Sequence, residues 1–158
     1  MVKKIKGKSL MLRVENSTIA LATSCSVTTT TVTSESRTKD DAVGPNASFE
    51  YVDWSMSSDN IVGSNDDVTA QKLYDDLLEL QLAGTVVNVS AELMSSTTGA
   101  VPKGDWQPDT AENNAFKPYG GEAYINDIQL NAPAEGDATL SVSFKANGPL
   151  RKLTNTQL

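Results

Sequence analysis

Polar and apolar residues alternate along most of this chain, a period of two that belongs to half-buried strands rather than to helices. Leu10, Leu12 and Val14 interleave with Ser9, Met11 and Arg13 in a first strand, and the polar VENST stretch turns into TIALATSC, which predicts a hairpin. SVTTTTVTSES continues in β-branched residues. Val27 and Val32 there are out of phase, so this strand either bulges or has two partly polar faces. Val52, Trp54 and Met56 share one side of the next strand, while Asp53, Ser55, Ser57 and Asp59 share the other. Val87, Val89, Ala91 and Leu93 alternate with Asn88, Ser90 and Glu92, predicting one buried and one exposed face. Two further strands, AYINDIQL and ATLSVSFKA, are joined by NAPAEGD, with Leu140, Val142 and Phe144 inward and Thr139, Ser141, Ser143 and Lys145 outward.

One segment breaks this rhythm. VTAQKLYDDLLELQLAG places Ala70, Leu73, Leu77 and Leu80 on one stripe at helical spacing, with Asp66 or Asp67 placed to cap its start and Gly84 to end it. Such a stripe must cover part of the sheet. Residues 34–48 mix charges with Gly44, Pro45 and Asn46, and residues 95–121 carry no period, so both are expected as long polar loops. The basic start, 1–8, and the polar end, 150–158, are too poor in apolar residues to form a core and are expected as arms. The chain thus predicts a single mainly β domain over 1–158, a β-sandwich or partly open barrel with one flanking helix.

Charge narrows the functions available. Thirteen Lys and Arg against 20 Asp and Glu leave a net −7, the wrong sign for wrapping a nucleic acid through clustered cations. A lone cysteine, Cys25, cannot form an internal disulfide and reads as a small buried hydrophobe in its strand. The basic start resembles a secretion signal and LATSCS a lipoprotein cleavage site, but Arg13, Glu15 and Asn16 interrupt the apolar run between them. No stretch approaches the ~18 apolar residues of a membrane span, so a soluble protein is expected.

Candidate chemistry is sparse. The chain has no histidine, which removes the usual general acid–base partner and most nucleophile and zinc arrangements. The acidic pairs Asp40–Asp41, Asp66–Asp67 and Asp75–Asp76 read as solvated surface and helix caps, since neighbouring carboxylates on a helix diverge by about 100°. DNIVGSNDD has oxygen ligands and a glycine but lacks calcium-loop spacing and its terminal glutamate. The sequons at Asn16, Asn46 and Asn88 arise readily in a Ser/Thr-rich chain and are given no role. Trp54 reads as core, whereas Trp106, between Asp105 and Gln107 and close to Pro108, is either an interface anchor or packed over its own sheet. No catalytic residue, metal or cofactor is expected, and the chain does not read as an enzyme.

The stretches KIKGKSLML, IALATSCS, SRTKD, WSMSSDN, LYDDLLELQLAG, GDWQPD, GEAYINDIQLNAP and ATLSVSFKANGPL, taken in order, span nearly the whole chain. In that order they resemble the major tail tube proteins of long-tailed bacteriophages; the loop after SRTKD and the polar end after Leu150 are less typical of that family. The resemblance implies a tail tube fold whose copies form hexameric rings that stack into the conduit for genome delivery. It also implies a virion protein assembled in the host bacterial cytoplasm, with itself, the tape-measure, tail tip and tail terminator proteins as partners, DNA passing through without specific binding, and no membrane. Asp53, Ser55, Ser57 and Asp59 become candidates for the lumen face, with the Glu92 and Ser141 faces as competitors. Arg37, Lys39, Asp40 and Trp106 become candidates for contacts between subunits or rings. The inner tube of a contractile tail or tail-derived injection particle fits the same reading, and a secreted β-rich adhesin module is a more distant alternative.

Overall fold

The computed structural model describes residues 2–15, 17–19, 22–36, 46–62, 74–96, 106–109, 112–113 and 116–153. Among these residues nine antiparallel strands are formed: β1 (Leu10–Val14), β2 (Ser17–Thr18), β3 (Ala22–Ser36), β4 (Asn46–Ile61), β5 (Val87–Ser96), β6 (Trp106–Pro108), β7 (Tyr119–Asn131), β8 (Thr139–Ala146) and β9 (Arg151–Lys152). They make one sheet in the order β2-β1-β5-β7-β8-β4-β3, with β6 continuing on β5 and β9 on β7. The Cys25 thiol of β3 donates to the Leu10 carbonyl of β1 at 3.4 Å, so the sheet coils until opposite ends of its order touch. The result is the expected partly open barrel.

The inner face of that coil holds Leu12, Val14, Trp54, Met56, Val87, Val89, Leu140, Val142 and Phe144, each at most 2% exposed. These are the inward sets of the alternating pattern, and each such aliphatic or Phe side chain contributes about 1.5–3 kcal/mol by leaving water. The helix, α1 (Tyr74–Ala83), flanks the sheet and inserts Leu77 fully into the core, with Leu80 partly buried. It ends as the sequence predicts. Gly84 takes φ +64°, its amide donates to the Gln81 carbonyl, and the Thr85 amide donates to that of Leu80. The predicted caps Asp66 and Asp67, and Ala70 and Leu73, lie outside the described residues.

Several expectations need correction. The first hairpin is only two residue pairs long, Arg13↔Thr18 and Val14↔Ser17; β1 pairs along its whole length with β5, and β3 pairs with β4. The supposed 34–48 loop is narrower, because strand continues to Ser36 and resumes at Asn46. The supposed 95–121 loop contains the end of β5, all of β6 and the start of β7. Of the expected arms, residues 2–8 are exposed with Lys3 paired to Glu112 at 2.7 Å, Arg151 and Lys152 pair with Gly120 and Tyr119, and 154–158 lie outside the described residues. Val52, expected in the core, is 42% exposed, because β8 flanks β4 only over Ser55–Ile61 and no core extends beyond it. Arg13 and Glu92, expected on an exposed face, are buried against each other.

Candidate functional site

The outer surface of the coil is the candidate site, and strand register builds it. Thr30, Thr28, Ser26 and Ser24 of β3 stand opposite Asp53, Ser55, Ser57 and Asp59 of β4. Ser55, Ser57 and Asp59 in turn stand opposite Lys145, Ser143 and Ser141 of β8, and a bulge between Ile125 and Asp127 brings Asp127 and Gln129 of β7 into the same register. The four predicted lumen residues and the competing Ser141 face are therefore one continuous polar surface across four strands. Glu92 does not belong to it. Its side chain is 1% exposed and its Oε2 accepts from Arg13 Nη1 at 2.7 Å.

The small hydroxyls on this surface bond to one another. Ser26 and Ser57 share a hydrogen bond of 2.6 Å. Asp59 ties three strands together, one carboxylate oxygen accepting from Ser24 at 3.0 Å and the other from Ser141 at 2.8 Å. The fixed charges on this part of the surface are Asp53, Asp59 and Asp127 against Lys145, a net acidic balance. The opposite face of β4 is fixed by Trp54, whose indole N–H donates to the Gly148 carbonyl at 2.9 Å.

Beyond Trp54, β4 has no partner but β3 among the described residues, so Thr31–Ser36 and 46–52 leave the described body as a two-stranded ribbon. A register shift between Val32 and Thr33 skips Glu50 and places Phe49 on the same side as Val52. That side continues the core face outward, yet Phe49 is 68% exposed, and Tyr51 on the other side 58%. Isolated two-stranded ribbons are marginal in water. The sequence signal near this feature was the phase slip of Val27 and Val32, and the structure resolves it as two faces, since the register runs unbroken from Val27↔Met56 to Val32↔Tyr51 and the bulge that follows, at Glu50, is in β4.

Arg37, Lys39 and Asp40 lie outside the described residues, as does the Trp106 side chain, whose backbone pairs with Ser96 in β6. No group of three or more metal-binding side chains occurs among the described residues.

Searches against protein-family models and against curated proteins find no match. Solved structures do match. A chain of the tail of an empty gene transfer agent particle, refined with C6 helical symmetry, superposes with a TM-score of 0.67 over 96% of this chain and 100% of that one at 14% identity. The chain has the tail tube fold. A chain from the virion of the native gene transfer agent particle gives 0.66 at 13% identity with the same coverage. The SPP1 tail tube, solved by solid-state NMR and cryo-EM, gives 0.60 at 13% identity over 94% of this chain and 78% of that one. At such identities the likeness is one of fold, and the tail tube fold accounts for the coiled antiparallel sheet and the helix α1 that flanks it.

Proposed function

We propose that this protein is the structural subunit of a phage-type tail tube, six copies closing into a ring and rings stacking into a hollow conduit through which DNA passes. The observation that carries the reading is the continuous polar surface on β3, β4, β8 and β7 in a domain that matches tail chains end to end. Among the described residues, β3 pairs in the sheet with β4 alone, so alternate residues along its 15-residue length present backbone amides and carbonyls at its other edge. Pairing that edge with a neighbouring copy satisfies them, and closure around a sixfold axis leaves none over.

The polar surface then lines the lumen. Each Lys or Arg that paired with a phosphate would add a binding contact at low salt, whereas carboxylates repel DNA by on the order of 1 kcal/mol per pair at 4 Å in bulk water. The exposed ribbon reaches the adjacent ring. In this reading the chain has no catalytic step, it works in the virion tail after assembly in the host cytoplasm, and its further partners are the tape-measure, tip and terminator proteins.

The test replaces Asp53 and Ser55 by lysine and leaves Asp59 intact, because Asp59 holds three strands together. Electron microscopy of concentrated protein should show tubes for both the parent and the D53K/S55K variant, while DNA passage through variant tails slows in a salt-dependent way. A parent that stays monomeric even beside a nucleating tip complex defeats the tube reading. Variant tails that eject DNA at the parental rate show that this surface is not the lumen wall.

A further inference from the structure

Among the described residues the polar surface carries a single cation, Lys145 of β8. Register sets it opposite Ser55 of β4 on one side and Tyr124 of β7 on the other. Both members of the Lys145–Tyr124 pair are exposed, Tyr124 at 42%. Asp53 and Asp127 stand diagonally across from Lys145 on the flanking strands, yet neither forms an ion pair with it. Neither the ammonium nor the Tyr124 hydroxyl has a side-chain partner among the described residues. The bonded hydroxyls nearby differ: Ser26 and Ser57 hold each other, and Ser24 and Ser141 donate to Asp59. Lys145 and Tyr124 thus place two uncommitted donors side by side, one of them charged, on a wall whose other fixed charges are Asp53, Asp59 and Asp127.

We infer that Lys145, with the Tyr124 hydroxyl beside it, is the point at which this wall touches the phosphodiester backbone of passing DNA, once per copy. The inference rests on the tube reading. At Lys145, β8 has β4 on one side and β7 on the other, both from its own copy. A lateral neighbour pairing at a sheet edge therefore stays about 10 Å away, two strand spacings, and the group that meets the ammonium comes from above the face. In the tube that space is the lumen. A compact ammonium on a flexible stem suits a sliding partner, because it pairs with phosphate as a point charge and imposes no fixed planar geometry. Contact with phosphate also carries no sequence information, as a conduit for a whole genome requires. One cation per copy among three carboxylates makes contacts that form and release in turn, so the wall slows the DNA without gripping it.

Acetylation of lysines in tubes assembled from the parent protein, read by mass spectrometry with and without a short DNA duplex, tests this without any substitution. Lys145 is expected to react in empty tubes, to be protected by the duplex at low salt, and to lose that protection as salt rises. In complete tails, where release of one phosphate contact limits passage, the parent should quicken roughly 3-fold between about 50 and 200 mM salt. K145Q should be fast at both, K145R should keep the salt dependence, and Y124F should fall between K145Q and the parent. Lys145 that is already unreactive in empty tubes is held by another copy, which overturns the inference. Tubes in which the duplex leaves Lys145 reactive, or K145Q tails with the parental salt dependence, overturn the contact and leave the tube reading standing. An effect of K145Q confined to incorporation of the tape-measure protein overturns it too, in favour of a protein partner. Failure of the parent to assemble at all defeats the tube reading, and the contact with it.

Discussion

Replacing Gly121 by alanine tests whether the Trp54 anchor sets the shape of the sheet. The added Cβ would lie 2.8 Å from Trp54 Cζ2 and 2.8 Å from the Pro149 carbonyl oxygen. Contact between carbons is optimal near 3.5–4.0 Å, so the ring or the backbone must move by roughly 1 Å. The ring cannot move alone, because its N–H is tied to the Gly148 carbonyl in the same turn as Pro149. Overpacking of this kind costs about 1–3 kcal/mol, and stretching the indole bond adds about 0.5–1.5. The lower entropy of the unfolded alanine chain returns about 0.4–1, leaving a net loss near 2 kcal/mol. With a urea slope of about 1–3 kcal/mol per molar, the midpoint should fall by about 1 M. Circular dichroism of the monomer reads this without relying on Trp54 fluorescence. The smaller ring of Trp54→Phe should relieve the clash, so G121A in that background costs less than G121A alone. A G121A loss under about 0.5 kcal/mol, or strict additivity with W54F, would refute the anchor argument.

The ribbon should matter to assembly and not to folding: F49S, whose side chain is 68% exposed, is expected to leave the unfolding free energy within about 0.5 kcal/mol of the parent in a urea titration and to raise the critical concentration for tube formation. Equal assembly of the two proteins by light scattering argues against the ribbon as a contact. Cys25 should react slowly, because burial pushes its thiol above the ordinary 9.0, so iodoacetamide labelling at pH 8 proceeds slower than for free cysteine. The sign for stability follows: the unfolded thiol ionises first, so stability from this group is intact below about pH 9 and declines as pH rises beyond it, which a midpoint-against-pH series at pH 8–10 reads against a Cys25→Ser control.

Much of the fold was legible because a strand with one face in the core writes its alternation into the sequence. Leu140, Val142 and Phe144 were assigned inward and are at most 2% exposed, and Gly84 was assigned the left-handed helix stop it adopts. The failures have a common cause. Alternation says which residues share a face but not what lies above that face, so Val52 passed for core although the body ends beneath it. Likewise Glu92 passed for surface although Arg13, 79 residues earlier, meets it in the cleft wall. The polar surface was half legible. Asp53, Ser55, Ser57 and Asp59 were grouped from one strand, but their union with Ser24 and Ser141 depends on strand order, and no local pattern encodes that β4 lies between β3 and β8.

That strand order also explains why the surface is built from serine and threonine rather than from larger polar residues. A hydroxyl facing water keeps spare donor capacity, and a phosphate is a strong acceptor for it. Here the register sets hydroxyl against hydroxyl and hydroxyl against carboxylate, as in Ser26 with Ser57 and in Ser24 and Ser141 with Asp59. Three of those four hydroxyls are already committed as donors. A polyanion moving past would have to break short bonds between neighbouring strands to make new ones, and it would gain little net energy by doing so. Long lysines or arginines, by contrast, would reach off the surface and pair with phosphate one after another. If this surface lines the lumen as proposed, low adhesion would follow from two independent properties of the same residues, the acidic balance that repels the backbone and the cross-strand bonding that leaves few free donors to hold it.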